Sequence, residues 1–425
     1  LNDFPGQGTA LVGVVDVFYE DKGYVHPDEF SEFNGPVVPL ALMDKRVWTN
    51  DETFSAQIRI AQYSGTTLKN ARPAWEIIGA DGRKLAGGEL AAGDIPVGNA
   101  TDLGTVTMPL ASVAKATKLT LKVTLPGTEW RNEWSFWVYP KAVADPAIGG
   151  AAVCRTPAES LEKLAQGQAV ILLLPPKMVA GKTAGTFQPI FWNKPWFPGQ
   201  REHTLGWLIQ KKHPALNGFP TDFHTDWQWW DLMQHCKPMV LDQLPSELCP
   251  IAEPIDDWNT CRRLGTLFEA KVGKGRLLVC SMDLESDLAR RPVARQLRRS
   301  LQDYADSPDF NPKVEITGEQ LQTLVSGKPN PLVVKATADS ENGDYAAGNA
   351  IDGDPETVWH TEWKDNIPGY PHQITLELAR KAAITGIRLL PRQDGNSNGW
   401  VKEVEIQVSA DGQAWATAAT ASLSN

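Results

Sequence analysis

Hydrophobic and polar positions alternate along much of residues 45–141. The run Gln57 to Tyr63 alternates with period 2, as a strand with one buried face does. Turn signals such as Asp81–Gly82 and Pro126–Gly127 separate several strand-like runs. These runs are Thr53 to Tyr63, Ala74 to Ile78, Lys118 to Leu125 and Asn132 to Tyr139. About seven strands in about 95 residues are typical of an immunoglobulin-like β-sandwich, which we predict for this region.

The pattern changes in residues 142–311. Ala158 to Ala165 forms a short amphipathic pattern, and Val170 to Leu174 follows as a continuous apolar run. Leu277 to Cys280 is a second such run, and Arg290 to Tyr304 has the periodicity of a closing helix. Continuous apolar runs are typical of buried parallel strands. Their alternation with helices predicts an α/β layer domain.

The hydrophobic pattern at the two ends of the chain differs from that of the two middle regions. Residues 1–44 are too few to bury a core. We therefore expect them to be the end of an upstream domain and to dock on it. A helix is predicted to begin at Pro27 within this segment. Residues 312–329 read as a linker with a short helix. From Asn330 to Asn425 the pattern is all-β, with loops rich in Gly, Asn and Asp.

Composition narrows the possible partners. The 425 residues carry a formal net charge of −10, which argues against nucleic acids and anionic membranes. No run of about 18 apolar residues occurs, so we expect no membrane insertion. The chain has 16 Trp against 7 Tyr. Such a surplus indicates either flat stacking platforms or large core residues, and we expect most of these indoles to be core.

The cysteines lie in the middle third of the chain. They show neither a CxxC motif nor Cys/His metal spacing, which favours buried thiols over a disulfide framework. Cysteine usage therefore leaves the compartment open. The positions are Cys154, Cys236, Cys249, Cys261 and Cys280.

The most distinctive motif is the segment from Ala346 to Thr361, which contains Asn349-Ala350-Ile351-Asp352-Gly353-Asp354 and Val358-Trp359-His360. It is followed in order by Ile387 to Arg392, Val404 to Ser409 and Asp411 to Trp415. This series resembles the coagulation factor 5/8 type C (discoidin) family, and within it the family 32 carbohydrate-binding modules. The resemblance implies a discoidin-type β-sandwich, or jelly roll, over residues 312–425, whose last one or two strands would follow Asn425.

A tight loop in this motif places oxygen donors at short intervals, on Asp352, Asp354 and Thr357. Hard oxygens at such spacing suit Ca²⁺. The same residues could instead cap backbone N–H groups of an Asx turn. The family commonly holds a structural calcium at this loop, so the resemblance favours Ca²⁺ as a cofactor.

The resemblance also implies a site for a galactose-type sugar. The matching positions are His360, Trp363 and Arg392, with weaker matches at Glu341 and Asn398. An indole stacks on the C–H face of a sugar, while His and Arg donate to its hydroxyls. In the alternative interpretation, Trp363 is a core residue and Arg392 a surface charge. We expect Trp359 and Trp415 to be core residues.

A second resemblance covers the rest of the chain. Asp3 to Gly13, Lys45 to Glu52 and Asn132 to Pro140 resemble the end of the catalytic barrel and the following sandwich of family 2-like glycoside hydrolases (β-galactosidase-like proteins). In that family both catalytic carboxylates lie upstream, so we expect none in this chain. The chain would then be the accessory, carbohydrate-binding C-terminal region of a bacterial, extracytoplasmic hydrolase acting on galactose-type glycans. Alternatively, it belongs to a non-catalytic glycan-binding or adhesion protein.

Near the start, three residues could line the edge of the missing active site, although a docking role is favoured. They are Gln7, Phe18 and Tyr19. In the middle domain, aromatic residues are dense in Phe191 to Phe197 and in Thr221 to Trp230. That domain resembles class I glutamine amidotransferase-like domains, which need a Cys on a glycine-flanked elbow. Cys280 precedes Ser281-Met282-Asp283 instead, which predicts a non-catalytic domain.

Three interpretations of the middle domain remain. A structural or assembly role is favoured over a second sugar-binding surface, and catalysis is the least favoured. Asp222, His224 and Asp226 alternate in one loop and could meet a metal.

Overall fold

The computed structural model describes residues 14–15, 18–23, 25–143, 150–186, 204–257, 260–325, 332–343, 345–352, 357–365, 367–384, 386–387, 389–392 and 398–423. Gln7, the aromatic segment Phe191 to Phe197, and Asp354 lie outside the described residues. The chain divides into two compact units. Unit 1 comprises Leu1–Lys177 and Thr183–Thr317, and unit 2 comprises Met178–Lys182 and Gly318–Asn425.

Unit 1 begins with a β-sandwich that follows the short helix α1 (Pro27–Phe33). Its strands are β1 (Val37–Leu42), β2 (Val47–Thr49), β3 (Thr53–Gln62), β4 (Leu68–Ala71), β5 (Ala74–Gly79), β6 (Lys84–Glu89), β7 (Gly93–Ile95), β8 (Gly98–Pro109), β9 (Thr117–Thr124) and β10 (Arg131–Tyr139). One sheet has the order β1-β3-β8, the other β2-β10-β9-β5-β6, and β4 pairs with β7. The rings of Phe54 and Phe136 stack at 4.1 Å between the two sheets. The strands predicted from alternation are confirmed as β3, β5, β9 and β10.

The first strand of the sandwich lies inside the segment that we expected only to dock upstream. β1 pairs antiparallel with β3, with Val37 opposite Gln62 and Leu42 opposite Gln57. Val37 and Val38 are buried, because their apolar side chains cover the sandwich core. Residues 37–42 are therefore part of the sandwich.

Unit 1 also contains an α/β layer, which is a mixed sheet flanked by helices. Its strands and helices are β11 (Ala152–Cys154), α2 (Pro157–Ala165), β12 (Ala169–Leu173), β13 (Thr204–Ile209), α3 (Trp230–Gln234), β14 (Met239–Val240), β15 (Ala252–Asp256), β16 (Leu264–Gly265), β17 (Leu267–Val272), β18 (Gly275–Cys280) and α4 (Pro292–Ala305). The order is β11-β12-β18-β17-β15-β13, and β14 pairs with β16. β12 is parallel to both β11 and β18, which confirms the parallel strands predicted from the apolar runs. The strands from β17 onward are antiparallel.

Helices cover this sheet closely. Thr156 caps α2 by accepting the backbone N–H of Glu159, a standard start for a helix. A Cβ on Gly275 of β18 would lie 2.6 Å from Leu164 Cδ2, so only glycine lets α2 approach the strand so closely. α4 presents Val293, Ala294, Leu297 and Leu301 to the core that contains Ile171 and Leu278.

Strand β10 connects the two cores of unit 1. Phe136 and Val138 belong to the sandwich core, whereas Trp137 and Tyr139 belong to the core under the second sheet. Successive residues of a strand point to opposite faces, so one strand contributes to both cores. The hydroxyl of Tyr139 donates to Gln228 Oε1 at 2.5 Å. The sandwich and the α/β layer are therefore parts of one compact unit.

The cysteines differ from the expectation of buried thiols. None of the five forms a disulfide, but only Cys154 and Cys280 are buried, whereas Cys249 and Cys261 are exposed. The exposed two lie in the loops around β15 and β16 rather than in apolar strands, which explains their accessibility.

Unit 2 contains the short helix α5 (Gly318–Gln322) and the strands β19 (Val333–Ala338), β20 (Ile374–Leu378), β21 (Glu403–Val408) and β22 (Ala416–Ser422). β19 pairs antiparallel with β20, and β21 with β22. In the described part of unit 2 these pairs are separate two-stranded sheets. β22 consists of Ala, Thr and Ser, so it offers little apolar area to bury.

This arrangement corrects the core assignments of two tryptophans. Trp415, beside β22, is 46% exposed, because no large apolar side chain of that strand covers it. Trp359 is half-buried, and its Nε1 donates to the carbonyl of Ser340 at 2.9 Å.

Candidate functional site

Three aromatic rings meet in unit 2. The ring of Trp363 lies 5.1 Å from the ring of Tyr345 and 4.7 Å from that of His360, both in edge-to-face geometry. Trp363 is 38% exposed, while the other two are partly buried. Edge-to-face contacts hold an aromatic ring in one orientation. We call Tyr345, His360 and Trp363 the aromatic cluster.

Backbone hydrogen bonds join the two loops that carry the aromatic cluster. The N–H of Asn342 donates to the carbonyl of His360, and the N–H of His360 donates to the carbonyl of Tyr345, both at 3.1 Å. The Asn342 side chain also donates to Glu362 Oε1 at 2.6 Å. The positions of the three rings are therefore fixed by contacts between residues about 20 apart in sequence.

Glu362 organises the turn after Trp363. Its Oε1 accepts the backbone N–H groups of Trp363 at 2.8 Å and Lys364 at 2.7 Å. The hydrogen bond from the Lys364 N–H is the main reason that the pKa of Glu362 lies below its ordinary value. An ionised acceptor holds these donors most strongly, which keeps the turn closed at neutral pH.

His360 has a defined tautomer. Its Nδ1 lies 2.8 Å from the carbonyl oxygen of Thr361, which can only accept, so Nδ1 must carry the proton. Nε2 then accepts a hydrogen bond in the neutral ring. A Cβ on Gly399 would lie 3.1 Å from this Nε2, and Gly399 has φ +85°, so another residue there would be strained and would press on the imidazole.

The remaining sugar-site candidates lie near this cluster to different degrees. Arg392 Nη1 donates to the carbonyl of Asn398 at 3.3 Å, and Asn398 precedes Gly399, where a Cβ would lie 3.1 Å from His360 Nε2. The structure thus connects the loops of His360, Trp363 and Arg392. Glu341 is exposed and precedes Asn342.

The proposed calcium loop is described only in part. Thr357 Oγ1 donates to Asp352 Oδ2 at 2.8 Å and lies 3.3 Å from the carbonyl oxygen of Asn349. The Thr357 hydroxyl therefore brings three oxygens close together by hydrogen bonding.

The described residues contain neither a metal-binding group nor a helix that could span a membrane. No group of three or more His, Cys, Asp and Glu in that part of the chain could hold a metal, so Asp222, His224 and Asp226 do not converge as a metal site. In the same residues, every helix is too short or too polar to span a bilayer.

The sequence did not point to every residue of the site. Tyr345 carried no signal, because its contact with Trp363 depends on the pairing of distant loops. Asn398–Gly399 is a typical turn dipeptide, and this could have indicated a close approach of the backbone.

Family models match three regions of the chain. Residues 335–425 match the F5/8 type C domain family. This match confirms the discoidin-type domain at the C-terminus. Residues 52–140 and 152–326 each match a domain of unknown function, DUF8488 and DUF8487 respectively.

Two curated relatives match part of the chain. A galactose oxidase of Gibberella zeae is 40% identical over 80 residues, which cover 19% of this chain and 12% of that protein. A sialidase of Micromonospora viridifaciens is 43% identical over 84 residues, which cover 19% of this chain and 13% of the sialidase. The chain thus spans about an eighth of the length of these relatives.

Among solved structures, the β-glucuronidase of Parabacteroides merdae is similar over 32% of this chain and 21% of that chain. The TM-score is 0.19 and the sequence identity 11%. A likeness at this level carries no argument about fold or function.

Proposed function

We propose that unit 2 is a carbohydrate-binding domain that takes a terminal galactose-type sugar at the aromatic cluster. The observation that carries this proposal is the half-exposed indole of Trp363, which is held by Tyr345 and His360. The family match and the names of the two relatives, a galactose oxidase and a sialidase, support a glycan as partner.

Each side chain has a role in this proposal. Trp363 stacks on the C–H face of the sugar. His360 Nε2 accepts a hydrogen bond from a sugar hydroxyl, and Arg392 donates hydrogen bonds to hydroxyl oxygens. Glu341 and Asn398 lie at the rim of the site. Affinity is weak, on the order of millimolar to tens of micromolar, because one sugar buries little area and exchanges water for protein hydrogen bonds.

The test measures galactose binding to the full chain by isothermal titration calorimetry. Trp363→Ala should weaken binding by about 1–2 kcal/mol, and Arg392→Ala by a similar amount. Tyr370, an aromatic residue of the same unit that is 92% exposed, is the matched control, and Tyr370→Ala should leave binding unchanged. Equal binding by the parent and Trp363→Ala would contradict the proposal.

We also propose that Asp352, Asp354 and Thr357 hold a structural Ca²⁺ in unit 2. A ligand that binds only the folded state stabilises it by about 2.7 kcal/mol at about 100 times Kd. Millimolar Ca²⁺ should therefore raise the melting temperature relative to EDTA. Asp352→Ala should remove this increase, whereas Asp411→Ala, at a turn aspartate of the same unit, should retain it. An unchanged melting temperature would rule the ion out.

For the whole protein, we propose a bacterial, extracytoplasmic glycoside hydrolase of the β-galactosidase-like type, with its catalytic carboxylates upstream of this chain. The middle layer, amidotransferase-like in its sequence pattern, is then a non-catalytic assembly domain. The purified chain should not turn over a chromogenic galactoside. Turnover that disappears when an acidic residue of this chain is replaced would overturn the proposal.

A further inference from the structure

Two exposed indoles lie on one turn of unit 1. Trp227 is 63% and Trp230 45% exposed. A 3-10 turn spans Trp227–Trp229, and the backbone N–H of Trp230 donates to the carbonyl of Trp227. Residues three apart in such a turn lie above one another on the same face. We call Trp227 and Trp230 the indole pair.

The indole of Trp229, between them, anchors the turn in the core. Trp229 is fully buried, with its ring 5.1 Å from that of Phe219 and 5.9 Å from that of Trp207. Its Nε1 donates to Thr221 Oγ1 at 3.1 Å. The core thus takes one indole of this turn and leaves the other two outside it.

Hydrogen bonds fix the same turn from a second side. The buried Gln228 accepts the hydroxyl proton of Tyr139 and donates to the carbonyl of Pro220 at 2.6 Å. Asp226 caps the turn by accepting the Gln228 N–H at 3.1 Å. The backbone of the turn is therefore already ordered, and a ligand does not have to order it on binding.

Polar groups surround Asp226, the residue before the indole pair, because Lys118, Asp222 and His224 all interact with it electrostatically. Asp222 forms an ion pair with Lys118 at 2.7 Å. His224 is exposed, and its Nδ1 donates to the carbonyl of Thr225, which leaves Nε2 as an acceptor. Flat apolar rings bordered by paired charges and an imidazole acceptor fit a neutral ligand rich in hydroxyl groups.

We propose that the indole pair is a second carbohydrate-binding surface, which takes a neutral polysaccharide. The C–H faces of successive sugars stack on Trp227 and Trp230, while hydroxyls reach the polar groups of Asp222 and His224. The surface lies in the region that matches a domain of unknown function, DUF8487. It does not depend on the aromatic cluster of unit 2.

The experiment uses the full chain with Trp363→Ala, so that binding at the aromatic cluster does not contribute. Native affinity gels contain soluble galactan, xylan, mannan or β-glucan. Retardation by at least one of these polysaccharides is expected. The double variant Trp227→Ala/Trp230→Ala should weaken it roughly tenfold, the effect of losing two aromatic contacts. Tyr63, which is 61% exposed elsewhere in unit 1, is the control, and Tyr63→Ala should leave it unchanged.

Three outcomes would overturn the proposal. The first is that none of the four polysaccharides slows the migration of the Trp363→Ala chain. The second is retardation that the double variant retains. The third is a concentration-dependent dimer in sedimentation that the double variant loses, because the indole pair would then contact a second copy of the chain. An unchanged melting temperature confirms that the double variant is folded.

Discussion

Unit 1 buries several tryptophans almost completely, whereas every described tryptophan of unit 2 keeps part of its surface exposed. In unit 1, Trp137, Trp207 and Trp229 are at most 1% exposed and contribute to a continuous core. In unit 2, Trp363 and Trp415 are 38% and 46% exposed. The same residue type thus stabilises the fold in one unit and presents a surface in the other. Within unit 1 the indole pair is exposed, and Trp75, Trp130 and Trp134 are partly buried.

The largest expected effect tests this contrast directly. Trp229→Ala should lower the free energy of unfolding of unit 1 by about 3–5 kcal/mol, because it removes a fully buried indole and leaves a cavity. Trp359→Ala in unit 2 should cost about half as much, since that side chain is only half-buried. Urea unfolding followed by circular dichroism measures both. Equal losses would contradict the contrast between the units.

A second prediction compares two glycines of unit 2. Gly399 and Gly412 have φ values of +85° and +74°, so Ala at either position should cost about 1–2 kcal/mol of stability. A Cβ on Gly399 would lie 3.1 Å from His360 Nε2, whereas a Cβ on Gly412 meets nothing within 4 Å. Only Gly399→Ala should therefore weaken galactose binding, measured by calorimetry. A similar loss in Gly412→Ala would indicate a general effect on folding.

The smallest expected effect concerns two carboxylates of unit 1. Burial raises the pKa of Asp226 to about 6, so its ionised form disfavours the folded state. Between the ordinary pKa of an Asp carboxyl and about 6, the folded state therefore binds more protons than the unfolded state. The free energy of unfolding falls as the pH rises through this range. This contribution should make unit 1 less stable at pH 7 than at pH 5 by about 1 kcal/mol, and Asp226→Asn should remove it.

Asp222 should show the opposite slope. Its hydrogen bond with Lys118 lowers its pKa, so its contribution is present above the ordinary pKa and is lost as the pH falls through the lowered value. Asp222→Asn should therefore reduce stability at neutral pH more than at low pH. Thermal melts of both variants across pH 3–8 measure these slopes, and slopes of the same sign would contradict the assignment.

Local sequence patterns were sufficient to predict elements whose structure depends on their own residues. The apolar run Val170 to Leu174 predicted a buried parallel strand, and the periodicity of Arg290 to Tyr304 predicted α4. The sequence could not place β1, whose pairing with β3 depends on residues about 20 positions away. The core role predicted for Trp415 was wrong, because it required a neighbouring strand with larger side chains than those of β22.

The candidate site was predictable only in part. The motif around Trp359 and the resemblance it carries identified His360 and Trp363, which the structure brings into contact. Tyr345 and Gly399 were missed, because their contacts follow from how three separate loops meet. Hydrogen bonds such as that between Asn342 and Glu362 create this meeting, and neither residue is distinctive in the sequence.

The shared strand β10 has an evolutionary consequence. Trp137 and Tyr139 lie in the region that matches one domain of unknown function, yet they are buried in the core formed by the region that matches another. A sandwich transferred by gene fusion without its neighbour would expose both rings to water, and the neighbour would lose two of its largest core side chains. Recombination between the two regions is thus penalised, and we expect genomes to carry them as an adjacent pair.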